Sequence, residues 1–137
     1  MADTAVFDTN ILISALLWHG AAYQAVLLAK AKIVRVVYCD AMLAELTEKL
    51  REKFEFDENH IEAIVYQTRQ YAEKVEIPGT LRVVAQDPDD DKFIECALIA
   101  GARWIVSGDR HLLTLGEYQN IRIVNAQSFV AECTSRE

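Results

Sequence analysis

The sequence is poor in residues that interrupt or cross-link a chain. It has two prolines and five glycines in 137 residues, and no linker or low-complexity segment divides it. We therefore expect one domain over residues 1–137. The three cysteines, Cys39, Cys96 and Cys133, match no zinc pattern, so we expect reduced thiols, with Cys39 and Cys96 buried. The three histidines are equally dispersed, which disfavours a histidine-based zinc site.

Long apolar runs and an excess of positive charge are also missing. No hydrophobic stretch approaches the roughly 18 residues that a membrane helix needs. The amino-terminal segment MADTAVFDTN lacks the basic and apolar regions of a signal peptide. We therefore expect a cytoplasmic protein without a membrane partner. The net charge of −7 argues against binding nucleic acid by bulk positive charge, so any basic groove must be local or come from a second subunit.

Short hydrophobic segments alternate with helical patterns along the chain. We predict strands at 4–8, 33–38, 81–85, 103–107 and 121–124. We predict helices at 9–18, 21–31, 40–51, 58–75, 91–100, 110–115 and 126–133. Repeats of a strand and a helix form a parallel sheet with helices on both faces. The pattern therefore predicts an α/β fold with about five parallel strands.

Acidic residues follow four of these predicted strands. Asp8 comes directly after a buried strand, and Glu45 lies in the helix after the second. Asp91 opens the helix after the third strand, and Asp109 follows the fourth. Parallel sheets place functional residues at the carboxyl ends of their strands, so we expect these acids to converge. Each also has a structural alternative, since Asp8 and Asp109 could cap helices and Glu45 could be a solvated surface residue.

Convergent carboxylates predict a cation. Two unit charges about 4 Å apart repel by about 4 kcal/mol at an effective dielectric near 20. Protons or a metal ion must therefore lie among such a cluster. Hard oxygen ligands favour Mg²⁺ or Mn²⁺.

Some neighbouring polar residues have more than one interpretation. The acidic turn at 87–91 offers several helix caps, and we assign Asp91 to the metal and Asp90 to the cap. The Ser107 hydroxyl could hold a metal-bound water or orient the acid two residues later. Arg110 and His111 could face a phosphate or simply be solvated.

Four motifs, in this order, resemble those of the PIN domain family. They are DTN at 8–10, LAEL at 43–46, DPDDDKFIECAL at 87–98 and VSGDRHLL at 106–113. The chain is most similar to the small single-domain toxins of type II toxin–antitoxin systems that are related to the VapC ribonucleases. The resemblance runs from about residue 4 to residue 130 and implies a three-layer α/β/α fold.

The resemblance also implies an activity and a set of site residues. The family's four acidic positions fall on Asp8, Glu45, Asp91 and Asp109, and its polar positions fall on Asn10 and Ser107. It implies a Mg²⁺- or Mn²⁺-dependent endoribonuclease, homodimers, an RNA substrate and a cognate antitoxin that blocks the site. One departure is His111, at a position where relatives commonly have an acid.

Three other functions compete with that of a nuclease. A phosphoacceptor receiver domain needs an acid pair after the first strand and a lysine after the fifth, where this chain has Asn125-Ala126-Gln127. A haloacid-dehalogenase-type phosphatase needs a second aspartate where Asn10 stands. A non-catalytic PIN-like module that binds RNA or a protein remains the alternative.

Overall fold

The computed structural model describes residues 2–84 and 87–135. These residues form six strands and seven α-helices. The strands are β1 (Thr4–Phe7), β2 (Arg35–Tyr38), β3 (Ala72–Lys74), β4 (Trp104–Val106), β5 (Glu117–Tyr118) and β6 (Ile121–Val124). The helices are α1 (Thr9–Leu17), α2 (Ala21–Lys30), α3 (Asp40–Glu52), α4 (Glu58–Tyr71), α5 (Asp91–Ala100), α6 (Arg110–Leu115) and α7 (Ala126–Ser135), and a 3₁₀ turn spans Pro88–Asp90.

The strands form one sheet in the order β3-β2-β1-β4-β6-β5. Every neighbouring pair is parallel except β5 and β6. Helix α5 packs against β1, β2 and β4, while α1 packs with α2 and α2 with α7. The predicted three-layer α/β/α architecture is confirmed. The chain order diverges on either side of β1, and ligands of open α/β sheets bind at such a point.

Aromatic packing holds the central strands in place. The Phe7 and Phe129 rings meet edge to face at 5.6 Å, and the Trp104 and Phe129 rings at 5.1 Å. All three side chains are fully buried, and such pairs contribute about 0.5–1.5 kcal/mol each beyond burial. Phe7 on β1 and Trp104 on β4 are thus both packed against α7. The adjacent strand ends, which carry the acidic residues, are therefore firmly supported.

The predicted strand at 81–85 is wrong over residues 81–84, and residue 85 lies outside the described residues. Residues 81–84 join no sheet. The Asp91 carboxylate instead accepts hydrogen bonds from the backbone nitrogens of Val83, at 2.8 Å, and Val84, at 2.7 Å. β3 takes the position beside β2, and the segment at 81–84 is held by the Asp91 side chain rather than by pairing with a strand.

The long helix predicted to reach Val75 ends earlier, at Tyr71. Ala72 is extended, with φ −123° and ψ 147°, and starts β3, which pairs in parallel with β2. The Val75 nitrogen then donates to the Tyr38 carbonyl at 2.8 Å. Backbone pairing with β2 therefore replaces the last helical turn. The number of parallel strands is five as predicted, although one of them is a different segment.

Strand β5 was absent from the sequence prediction. It is two residues long and pairs antiparallel with β6. Gln119 and Asn120, which join the two strands, have φ values of 46° and 71°. Positive φ at both central residues is typical of the tight turn that matches the twist of a hairpin. The segment is too short for a periodic pattern to indicate it.

The burial of the cysteines agrees with the prediction. Cys39 and Cys96 are buried as expected, and Cys133 is buried as well.

In the part of the chain that the structure describes, no single helix has the length and apolar character to cross a membrane. The α1–α2 pair, bent by 102°, satisfies both requirements only when the two helices are taken together.

Candidate metal centre

Asp8 lies at the carboxyl end of β1, in the middle of the sheet. The residue is 3% exposed, and its backbone nitrogen donates to the Val106 carbonyl at the end of β4 at 2.9 Å. Oδ1 accepts from the Asn10 nitrogen at 3.1 Å and caps α1, while Oδ2 accepts from the Ser107 hydroxyl at 2.6 Å. Burial raises the pKa of Asp8, and the bond from Ser107 opposes that rise. Asp8 is therefore both a helix cap and a buried carboxylate at the point where the strand order diverges.

Ser107 connects the acids that follow β1 and β4. Its hydroxyl donates to Asp8 and accepts from the Asp109 nitrogen at 2.9 Å. Asp109 Oδ1 in turn accepts from the nitrogens of His111, at 2.8 Å, and Leu112, at 3.2 Å, and caps α6. Of the two roles open to Ser107 from the sequence, these bonds correspond to orienting Asp109. They also hold the Asp8 carboxylate.

Three carboxylates converge next to this pair of strand ends. Asp87, Asp90 and Asp109 each offer an oxygen, and the three oxygens lie within 4.8 Å of one another. Asp87 accepts from the Asp89 nitrogen at 3.2 Å and caps the 3₁₀ turn. Asp90 occupies the N-cap position of α5, as predicted, but its side chain makes no capping hydrogen bond. Its buried Oδ2 has no hydrogen-bond partner among the described residues.

The electrostatics of Asp90 favour a cation at this place. Burial raises the pKa of Asp90 to about 7, and the negative charges of Asp109, Asp87 and Asp8 add to the rise, while Lys92 opposes it. A buried carboxylate that lacks a donor is unfavourable unless it is protonated or binds a cation. The oxygen-only set of ligands suits Mg²⁺ or Mn²⁺. The residues present therefore fit a divalent metal ion.

Asp91, the sequence-based choice for the metal, has a different environment. It is buried, and its Oδ1 accepts the two backbone bonds from Val83 and Val84. It is not a member of the cluster formed by Asp87, Asp90 and Asp109. Two backbone donors satisfy much of its charge without a metal. Neither bond uses Asp91 Oδ2, so the metal role of Asp91 stays a prediction, while Asp90 is the neighbouring residue whose free oxygen is fully buried.

Glu45 on α3 is held by lysines that sequence reasoning missed. Its carboxylate accepts from Lys92 Nζ at 2.9 Å, and Lys49 Nζ lies 3.9 Å away. Lys49 also donates to Asn10 Oδ1 at 3.2 Å. Burial acts to raise the pKa of Glu45, but the positive charges of Lys92 and Lys49 hold it below its usual value. Glu45 is therefore ionised and already has a cationic partner.

The sequence does contain features that could have placed both lysines near Glu45. Lys92 directly follows the acidic run, and Lys49 lies one helical turn after Glu45, the spacing at which helical side chains pair. Lys92 is the more buried, with its side chain 13% exposed, and it also donates to the Asp89 carbonyl. Glu48, on the same helix as Glu45, is exposed.

A cleft of about 790 Å³ opens beside Glu45 and Lys92. Its lining includes five acids, Glu45, Glu48, Asp89, Asp91 and Glu95, and three basic residues, Lys49, Arg82 and Lys92. The cleft is therefore acidic on balance. A polyanion can approach this surface only if added cations offset its charge.

The geometry can be compared with proteins of known structure. The chain is similar to PAE2754 from Pyrobaculum aerophilum, with a TM-score of 0.66 and 15% identity over 98% of this chain and 99% of that one. It is similar to a chain of VapBC2 from Rickettsia felis, solved bound to a DNA fragment from their promoter, with a TM-score of 0.63 and 17% identity over 89% and 98%. For the RRP44 PIN domain of T. brucei the TM-score is 0.56, with 16% identity over 99% and 83%. At these identities the likeness shows the fold.

Sequence comparison gives the family. Comparison with curated proteins yields no significant match. The family model described as PIN domain matches residues 4–111, which is most of the chain. The matched region includes β1, β4 and every acid of the carboxylate cluster. The chain belongs to the PIN domain family.

Proposed function

We propose that this protein is a divalent-metal-dependent endoribonuclease that hydrolyses phosphodiester bonds in RNA. The observation that carries the proposal is the buried, unpartnered Oδ2 of Asp90 beside Asp87 and Asp109. These three carboxylates lie near the sheet edge where β1 and β4 end. The negative charge of Asp8 at that edge adds to the rise in the pKa of Asp90. Membership of the PIN domain family, a nuclease superfamily, supports the same activity.

We assign the metal to Asp90, Asp109 and Asp87, whose oxygens converge, with Asp8 beside them as a further ligand and Asp90 in the place that the sequence analysis gave to Asp91. Glu45 would contact the metal directly or through water. Bound Mg²⁺ or Mn²⁺ lowers the pKa of a coordinated water and offsets charge on the reacting phosphate. Glu45 or Asp109 would orient or deprotonate the attacking water.

The neighbouring polar residues would keep these carboxylates in position. Ser107 holds Asp8 and Asp109 through its hydroxyl. Asn10 accepts from Lys49, and Lys92 binds Glu45. Partners of metal ligands fix the ligand geometry in this way.

We also assign the protein to a toxin–antitoxin pair, as its toxin. The similarity to a chain of VapBC2 supports this assignment. The partners would be an RNA substrate, a cognate antitoxin that blocks the acidic edge, and a second copy of the chain in a homodimer. The location would be cytoplasmic.

The ion pair between Lys92 and Glu45 favours a second candidate function. Lys92 already neutralises a carboxylate that the nuclease would direct at the metal. A non-catalytic PIN-like module that binds RNA or a protein would need no metal there. The two candidates differ in turnover, which can be measured directly.

Cleavage of RNA by the purified protein tests the proposal. With Mn²⁺ or Mg²⁺ we expect cutting of a mixed RNA pool, and none with EDTA. Asp8→Asn should abolish cutting while leaving the fold as stable or more stable, because it relieves repulsion among the carboxylates. Asp40→Asn is the matched control, since Asp40 is exposed and pairs with Lys74. Wild-type activity in Asp8→Asn would contradict the mechanism.

Removal of the Ser107 hydroxyl should weaken the site without removing a ligand. We expect Ser107→Ala to lower activity or metal affinity by about 10–100-fold, the usual effect of losing a ligand's hydrogen-bond partner. Metal titration and cleavage rates measure this effect. Ser128→Ala, at an exposed serine on α7, is the control. Unchanged metal affinity and rate in Ser107→Ala would exclude the positioning role.

A further inference from the structure

A second cavity is formed by the segment at 83–84 and by helix α6, which follows Asp109. Its volume is about 320 Å³, and it is lined by Val83, Val84, Arg110, His111, Thr114 and Leu115. None of these residues is acidic, in contrast to the lining of the large cleft. The cavity is therefore the part of this edge whose charge suits an anion.

Two backbone connections place the cavity next to the metal centre. The His111 nitrogen donates to Asp109, a member of the carboxylate cluster. On the opposite wall, the nitrogens of Val83 and Val84 donate to Asp91, the residue after Asp90. The walls of the cavity thus come from the two segments that carry the clustered acids.

The guanidinium of Arg110 is available to a ligand. Four other arginines of this protein pair with carboxylates, namely Arg35, Arg51, Arg103 and Arg122. Arg110 is exposed and has no ion pair or hydrogen bond from its side chain within residues 2–84 and 87–135. It remains without a carboxylate partner there although the protein is strongly acidic. A guanidinium of this kind can bind a phosphate with two parallel hydrogen bonds.

The rest of the lining suits a base or a ribose. Val84 is buried, and Val83 and Leu115 add apolar surface. The half-buried His111 offers a flat ring, and Thr114 offers a hydroxyl. Single-stranded nucleic acid is commonly bound by such a combination of a cation with flat or apolar side chains.

We propose that this cavity is a subsite for one RNA nucleotide next to the scissile phosphate. The nucleotide's phosphate contacts Arg110, and its base or ribose packs against His111 and the two valines. The proposal rests on the proposed ribonuclease function, and it adds a site for the substrate to a surface that is otherwise acidic. It also gives a role to His111 at the position where the resemblance led us to expect an acid.

Titration of the metal-free protein with a nucleotide tests the subsite directly. We would add uridine or adenosine 5′-monophosphate in EDTA and follow the backbone amide signals by NMR. We expect the shifts to concentrate at His111, Thr114 and Leu115. Arg110→Gln should weaken binding about tenfold, the effect of losing about 1.4 kcal/mol. Arg69→Gln is the matched control, because Arg69 lies on α4 and lines a different cavity.

Three outcomes of this titration would overturn the subsite. They are the absence of shifts around the cavity, equal binding by Arg110→Gln and the wild type, and equal binding of inorganic phosphate and the nucleotides. The last result would indicate a simple anion site. His111→Gln should weaken nucleotide binding but leave the binding of inorganic phosphate unchanged, which separates base contact from charge.

RNA cleavage separates the failure of the subsite from the failure of the proposed function. If the wild type cleaves RNA, Arg110→Gln should raise KM about tenfold, as its loss in nucleotide binding predicts. Cleavage with the same KM in both proteins would overturn the subsite and leave the nuclease intact. If the wild type cleaves no RNA with either metal, the proposed function fails, and the nucleotide titration still decides whether the subsite exists.

Discussion

Asp90→Asn should abolish RNA cleavage, while Asp91→Asn should retain much of it. Asp90 has a buried oxygen without a partner and belongs to the carboxylate cluster. Asp91 Oδ1 already accepts from the backbone nitrogens of Val83 and Val84, and Asp91 lies outside the cluster. Loss of a direct ligand should lower the rate by more than about 100-fold, the upper end for loss of a ligand's partner. Initial rates with Mn²⁺ in excess measure the difference.

The two variants should also differ in stability, which makes them matched controls for each other. In Asp91→Asn the side-chain amide oxygen can still accept the two backbone bonds but carries no charge, so we expect this variant to lower the free energy of unfolding by about 1–2 kcal/mol. Asp90→Asn should not destabilise the metal-free protein at neutral pH. The opposite pattern, with an inactive but stable Asp91→Asn and an active Asp90→Asn, would indicate that Asp91 rather than Asp90 binds the metal.

The metal-free protein should lose stability as the pH rises from about 4 to about 7, through the contribution of Asp90. Its pKa is about 7 in the folded protein against an ordinary value of 3.8. Below both values the carboxyl is protonated in both states and has no effect. As the pH rises, the unfolded state releases its proton first, so the free energy of unfolding falls until Asp90 ionises in the folded state as well.

The size of this effect can be isolated by substitution. A shift of about three pKa units corresponds to about 4 kcal/mol, so we expect Asp90→Asn to be about 2–4 kcal/mol more stable than the wild type at pH 8 in EDTA. The difference should shrink towards zero near pH 4. Chemical denaturation of both proteins at several pH values measures it. A difference that stays the same across this range would exclude the elevated pKa.

Residues directly attached to strand ends were placed well from the sequence. Asp8 and Asp109 follow β1 and β4, which are neighbours in the sheet. Parallel pairing brings their ends together whatever the details of the helices. Ser107 lies on the same strand end and joins the two acids by hydrogen bonds. The adjacency of Asp8, Ser107 and Asp109 could therefore be predicted, while their role at a metal stays a prediction.

The acidic turn could not be resolved in the same way. Asp90 and Asp91 are neighbours, and neighbouring residues in a helical turn face different directions. The predicted strand at 81–85 implied a sheet edge just before this turn, whereas Val83 and Val84 are held by the Asp91 side chain. The different environments of Asp90 and Asp91 depend on that contact between separate segments, which neither periodicity nor capping preference indicates.

The lysines beside Glu45 depend on tertiary contact as well. Lys92 and Glu45 are 47 residues apart and meet only because α3 and α5 pack together. No sequence pattern placed Lys92 at the site, since a lysine in a charged segment is usually solvated. Its ion pair with Glu45 now limits how freely Glu45 can serve a metal.

Calorimetric titration of the protein with Mn²⁺ tests the central claim most directly, because it detects the metal centre without a substrate. We expect saturable binding that EDTA reverses, that tightens between pH 6 and pH 8 as Asp90 releases its proton, and that Asp90→Asn abolishes. Asp91→Asn should keep most of the affinity. No binding by the wild type at pH 8, or equal binding by Asp90→Asn, would contradict a metal centre built on Asp90.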